Sequence, residues 1–354
     1  YPPADKHGGT SITNHSLAKA IKSFGHEVFV LTTDINGTER LDVPRGDTEW
    51  DGVPVRYCHW IKSPLPYHSP EIGEVLERRS SSFDICLISS AWTAYGISAG
   101  RICLRTRLPY IMYAHGSFDP YALRISRIRK KLFWALFDKY LYNNADAVVA
   151  LTEVEKQQML SMGIRKPISV IPNGVWSECD AVSMSRQELE SRWPVLRGRP
   201  YVLFLGRLHP KKGIDILIEA FRRIQQYFPN HILVLAGPSE RGYGDIVTKL
   251  IHDSLIAKSV LMPGVVNGNL KQSLYKMAEV FVLSSYSEGL PMAVLEAMAA
   301  GTPVVITKQC NLPEVEEYNT GKVISPDVDE LVEALTSILN NAILRDQMGQ
   351  NGKL

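Results

Sequence analysis

The chain has 354 residues, 39 basic against 37 acidic side chains and a net charge of +2, which argues against wholesale nucleic-acid binding. Hydrophobic residues make up 45% and charged residues 21%, as in globular proteins, and the length implies two domains rather than one core. No apolar run approaches the roughly 20 residues that carry a helix across a bilayer.

Short apolar runs alternate with helical patterns from end to end. In the first half, strands are predicted at 26–32, 53–60, 83–89, 109–114, 147–151 and 168–171. In the second half they are predicted at 201–206, 231–236, 259–262, 280–284, 303–307 and 322–325. These runs lack clean alternation, as strands buried on both faces do. Helical periods lie between them, for example at 214–227 and 291–300. Repeated β-then-α order predicts parallel sheets with right-handed crossovers. The expected fold is α/β, with two facing Rossmann-like doubly wound domains. One domain is expected over 1–175 and a second over 201–354, joined by a Ser-rich connection over 176–200. The cleft facing the carboxyl ends of both sheets is where such folds bind ligands.

Cys58, Cys86, Cys103, Cys179 and Cys310 are scattered, odd in number and without a CxxC pair. A disulfide framework or zinc site is not expected, and a reducing, cytoplasmic compartment fits. The chain opens at Tyr1 rather than at a methionine, so further residues are expected ahead of it.

The stretch SYSEGLPMAVLEAMAAGTPVV, residues 285–305, sets Glu288 and Glu296 around a Gly-Leu-Pro turn. Pro291 is expected at the first helical position, and Gly301 with Pro303 at the stop. Glu288 then lies in the strand-to-helix loop. The first amides, near Met292 and Ala293, point where an anion would sit. Glu296 lies inside the helix. A carboxylate can accept from two vicinal hydroxyls, so two of them flanking an anion site suit the ribose, diphosphate and sugar of a nucleotide sugar. From spacing alone, an acidic loop followed by a surface glutamate is an equal reading. Residues 201–221 form a strand, a turn at Gly206 and the cations Arg207, Lys211 and Lys212. Cations there can balance a departing diphosphate, or simply be solvated.

Together these residues resemble a GT-B fold glycosyltransferase of the large retaining family 4, the glycogen-synthase-like group. The resemblance covers nearly the whole chain. It rests on Glu288–x7–Glu296 in EGLPMAVLEAMAAGTPVV and on GRLHPKKG with Arg207 and Lys212. HGGTS at 7–11, LAKAIKSFGHEVFVLT at 17–32, AHGSFDP at 114–120 and VIPNGV at 170–175 follow in the family's order.

The resemblance implies that Glu296 holds the ribose hydroxyls and Glu288 meets the transferred sugar. Amides of Leu290, Met292 and Ala293 would touch sugar and phosphate. Arg207 and Lys212 would grip the diphosphate beside Gly206. Main-chain groups of Gly264 and Val265 would pass the nucleobase edge. Gly8 and Gly9 would let the N-terminal backbone approach the diphosphate. His115, after the PYIMYA strand, matches the acceptor-side histidine, with His7 and Asp119 as lesser acceptor-side candidates. The catalytic set is then His115, Glu288, Arg207 and Lys212. A first strand ahead of Tyr1 and a last helix beyond Leu354 are also implied.

The activity implied is transfer of a hexose from a nucleotide sugar to a glycan or lipid-linked acceptor, with retention. UDP is favoured as the nucleotide, and GDP is the second choice. Polysaccharide or glycoconjugate biosynthesis is the setting. Two alternatives stand beside it: a nucleotide-sugar-binding protein without turnover, and a nucleotide-sugar 2-epimerase on the same fold. No cofactor and no metal are expected, since basic residues and helix amides take the metal's place. Asp327 and Asp329 form a DxD pair, but SPDVDE is turn-like and predicts a helix start. Residues 122–141 carry Ile125, Ile128, Leu132, Leu136 and Tyr140 at helical spacing among Arg124, Arg127, Arg129, Lys130 and Lys131. Such a helix packs on the core by its apolar stripe, or lies on the inner face of an anionic membrane.

Overall fold

The computed structural model describes residues 1–4, 9–89, 91–175, 184–240 and 242–354. It divides into two compact units, Tyr1–Gly174 and Val175–Leu354. His7, Gly8 and residues 176–183 lie outside the described residues. The rest of the expected connection, from Met184, belongs to the second unit.

The first unit opens with α1 (Gly9–Ser23), β1 (Val30–Thr33), β2 (Ile35–Asn36), β3 (Glu39–Arg40), β4 (Asp47–Trp50) and β5 (Val53–Cys58). It continues with α2 (Pro70–Arg79), β6 (Cys86–Ser89), α3 (Ala94–Thr106) and β7 (Tyr110–Tyr113). Next come α4 (Pro120–Arg124), α5 (Arg127–Phe133), α6 (Lys139–Asn144), β8 (Ala147–Ala150), α7 (Glu153–Ser161) and β9 (Ile168–Val170). β6, β7, β8 and β9 pair in that order, all parallel. Tyr110, Met112, Phe118, Tyr142 and Met159 fill the core beside them. A smaller sheet runs β1, β5, β4. Residues 28–33 and 85–89 line a common cavity of about 460 Å³.

Three short strands, β2, β3 and β4, were not expected. β4 reaches β5 through Asp51–Gly52, with φ of +47° and +76°. An Asp-Gly pair with both residues left-handed makes the tight turn of a two-residue hairpin.

The segment 122–141 departs furthest from expectation. It is not one helix: α4 ends at extended Ile125, and Ser126 is left-handed. An i→i+5 turn, Trp134–Asp138, then joins α5 to α6. The stripe expected to pack on the core is exposed instead, from Ile125 at 57% to Ile128 at 77%. The bulkier aromatic face took the core, with Phe133, Trp134 and Tyr142 against Trp92 and Phe118.

The second unit begins with α8 (Arg186–Arg192), β10 (Tyr201–Leu205), α9 (Ile214–Ile224), β11 (Ile232–Ala236) and α10 (Tyr243–Asp253). There follow β12 (Val260–Gly264), α11 (Gly268–Met277), β13 (Val280–Leu283), α12 (Met292–Ala299) and β14 (Val304–Thr307). It closes with α13 (Glu314–Glu317), β15 (Gly321–Ile324), α14 (Val328–Leu339) and α15 (Ala342–Gly352). All six strands are parallel, in the order β12-β11-β10-β13-β14-β15. That is the doubly wound order, in which the chain reverses direction between its first and fourth strands. β11, β13 and β14 are buried at every position, which explains their apolar sequences, broken only by Thr307 at the end of β14.

Candidate active site

In doubly wound sheets, ligands bind beyond the carboxyl ends of the strands where the order reverses. Here that point lies between β10 and β13. The loop after β10 carries Gly206, Arg207 and a single turn over Pro210–Lys212. The loop after β13 carries Ser284, Ser285 and Glu288. Gly213 lets the two loops touch. Its φ is +61°, and a Cβ there would lie 2.0 Å from the Ser284 carbonyl oxygen. Ser284 Oγ also donates to the Gly213 carbonyl at 2.7 Å.

This contact brings Lys212 and Glu288 together. Lys212 Nζ donates to Glu288 Oε1 at 2.6 Å, and Ser285 Oγ donates to the same oxygen at 2.6 Å. The Glu288 backbone is fixed as well: its amide donates to the Gln309 carbonyl, and Asn311 Nδ2 donates to its carbonyl. Burial pushes the Glu288 carboxyl up. Lys212, Ser285 and the charge of Lys211 outweigh that and hold it below the usual carboxylate range, so it is ionised. Beneath it, burial and the Glu288 charge push the Cys310 thiol up to about 12.

Glu296, on α12, has its own partners. Lys271 Nζ donates to Oε1 at 2.6 Å and Tyr275 Oη to Oε2 at 2.9 Å. Lys271 and Tyr275 stand four apart on α11, hence on one face of it. Burial and the Glu296 charge push the Tyr275 phenol well above its usual range, so it remains a donor.

Pro291 is the residue before α12, not its first helical position. The amides of Met292 and Ala293 still open the helix and have no acceptor among the described residues. Leu290 is buried just ahead of them. Arg207 turns to Glu240, with Nη1 donating to Oε2 at 2.6 Å. Val265 is exposed, and the Gly264 carbonyl accepts from the Gly237 amide. Sequence reasoning missed Lys271, Tyr275, Ser285 and Glu240. The four-residue spacing of Lys271 and Tyr275 was the signal available for two of them.

In the first unit, His115 follows β7 in the left-handed region, with φ of +50°. Its ring stacks on Tyr113, centroids 5.6 Å apart and planes at 19°. Its Nε2 is buried and has no partner among the described residues, an arrangement that costs stability unless a ligand answers it. Burial lowers the imidazole to about 4, so the ring is neutral near pH 7. The loop behind it is held by Glu155, which accepts from the Gly116 and Leu151 amides. Asp119 caps α4, accepting from Tyr121 and Ala122 amides at 2.9 and 3.3 Å. Gly9 is the first residue of α1.

Asp327 caps α14 by accepting from the Asp329 and Glu330 amides. Asp329 pairs with Arg223 at 2.5 Å. Among the described residues, no three His, Cys, Asp or Glu side chains gather as a metal set would.

Residues 185–354 match the family described as Glycosyl transferases group 1, and residues 7–178 match Glycosyltransferase Family 4. An uncharacterized glycosyltransferase of Methanocaldococcus jannaschii is 27% identical over 368 residues, spanning 100% of this chain and 90% of its own. The fold is similar to that of sucrose-phosphate synthase from Thermosynechococcus elongatus, with a TM-score of 0.72 and 21% identity. That likeness covers 98% of this chain and 88% of the synthase. An Anabaena protein solved in complex with UDP-glucose gives a TM-score of 0.70 at 20% identity, over 85% of this chain and 80% of its own. These structures share two Rossmann-like domains with the present chain.

Proposed function

The chain belongs to the family 4 glycosyltransferases of GT-B fold, and we propose that it transfers a hexose from UDP-sugar to a glycan or lipid-linked acceptor with retention. One observation carries this reading: the ionised Glu288, paired with Lys212, sits where the strand order reverses, beside the open amides of α12. A UDP donor is supported by the Anabaena neighbour of the same fold, which was solved with UDP-glucose. A GDP-sugar is the second choice. The setting is polysaccharide or glycoconjugate synthesis. The free Cys58, Cys86, Cys103 and Cys310 suit the cytoplasmic side of the inner membrane face.

In this reading Glu288 accepts from hydroxyls of the transferred sugar. Glu296 accepts from the ribose, exchanging one or both of its Lys271 and Tyr275 contacts. Lys212, Arg207 and the amides of Met292 and Ala293 meet the diphosphate, with Gly206 bordering it. Neutral His115 offers a ring N–H to a sugar hydroxyl. The reading needs no cofactor, because cations and amides supply the positive charge.

Retention through an enzymic nucleophile needs a carboxylate at the anomeric carbon. Glu288 is occupied by Lys212 and Ser285, which favours a front-face route. The bond from the anomeric carbon to the acceptor oxygen forms as the bond to the diphosphate oxygen breaks. The acceptor proton passes to the departing phosphate, and Lys212 with Arg207 stabilises the growing charge. Proton NMR of the product formed from an α-linked UDP-sugar tests this. An α-linked product is expected, and a β-linked product overturns retention.

A further inference from the structure

We infer that the outer face of residues 125–140 docks on an anionic lipid bilayer. The inference stands on the surface itself and deepens the lipid-linked half of the acceptor reading.

From Arg127 to Asn144, α5, the i→i+5 turn and α6 form one continuous rod. Ile128, Leu132, Leu136 and Tyr140 recur along it at every fourth position, and all are exposed, as is Ile125 before them. A regular α-helix of 3.6 residues per turn would rotate such a series steadily off one line. The i→i+5 turn takes more residues per revolution, so it offsets that rotation. The four side chains therefore hold a common outward stripe about 18 Å long at 1.5 Å per residue. Scattered surface leucines need no explanation, but a contiguous apolar stripe marks an interaction site. The core does not claim it, because the opposite, aromatic face is already buried.

The charges name the partner. Residues 120–144 hold six basic side chains and one acid, Asp138, and Asp138 is buried, accepting from the Trp92 amide. Arg129 and Lys130 turn inward to the Pro64 and Ala122 carbonyls. Arg124, Arg127, Lys131 and Lys139 have no carboxylate partner among the described residues. Cations bordering an aliphatic stripe match an interface helix on anionic lipid, where the stripe enters the acyl boundary and the cations meet headgroups. A second copy of the chain would bring these cations against their own counterparts, and like charges facing each other oppose association.

Vesicle sedimentation with the whole chain tests this, using phosphatidylcholine alone and phosphatidylcholine mixed with phosphatidylglycerol. Wild type is expected to pellet with the mixed vesicles only, and less so in salt. Two double variants, Leu132→Glu with Leu136→Glu and Arg127→Glu with Lys131→Glu, are each expected to weaken binding at least about tenfold. All four positions are exposed, and unchanged thermal transitions verify their folding. If the leucine variant unfolds, the charge variant decides. Wild type remaining in the supernatant overturns the inference. So does equal binding by folded variants, or a stripe-dependent dimer in light scattering. Sedimentation needs no donor and no turnover, so its failure is distinct from failure of the transferase reading.

Discussion

Lys212 and Glu288 are 76 residues apart in the chain, and their side chains meet at 2.6 Å from two loops that Gly213 allows to touch. The pair is largely buried, so each charge depends on the other. Lys212→Met leaves the Glu288 carboxylate uncompensated. A stability loss of about 3 kcal/mol is expected from urea melts, and kcat should fall at least about 100-fold.

The same pair sets a pH dependence. Glu288 lies below its ordinary range when folded. Its contribution is therefore complete above the unfolded value of about 4.3 and fades as pH drops through the lower folded value. Wild-type stability should fall in that window, and Glu288→Gln should lack that part of the slope. Parallel urea melts across the window measure it.

His115 titrates in the other sense. Its folded value is about 4 and its unfolded value about 6.5, so on acidification the unfolded chain takes up a proton first. Stability should decline from about pH 6.5 toward pH 4, by at most about 3 kcal/mol. His115→Asn should flatten that slope. It should also lower kcat by at least about tenfold if the ring meets a substrate hydroxyl.

Lys271 and Tyr275 hold both oxygens of Glu296, so in the proposed reading they position that carboxylate for the ribose. Lys271→Ala should raise the donor KM about tenfold while kcat stays within about threefold. Lys271→Arg should restore much of it. A purely structural role would not split KM from kcat in this way.

Gly213→Ala would place a methyl group 2.0 Å from the Ser284 carbonyl oxygen, at a φ of +61°. The two loops must then part. The expected loss is above about 2 kcal/mol, with a parallel fall in kcat as Lys212 leaves Glu288.

The central strands were legible because a sheet covered on both faces writes itself as runs of Val, Ile, Leu and Phe, as VFVL and the VVI of β14 do. The hairpin of β4 and β5 was overlooked although Asp51–Gly52 announces it, since β4 itself, DTEW, is polar. Arg207, Lys212, Glu288 and Glu296 stood out by local spacing. Glu240, Lys271 and Tyr275 did not. Glu240 is 33 residues from Arg207, and Lys271 is 25 from Glu296, distances that only the folded sheet closes. Residues 122–141 misled because they carry two apolar faces, and periodicity cannot say which one the core takes.

The central claim is that the Glu288 and Glu296 site turns over a nucleotide sugar. The most direct measurement is nucleotide release from UDP-, GDP- and ADP-sugars without acceptor, for wild type and Glu296→Ala. The account predicts slow hydrolysis of one donor, the UDP-sugar, and its loss in the variant. Absence of both release and binding for every donor with wild type would contradict it, as would release that Glu296→Ala leaves unchanged.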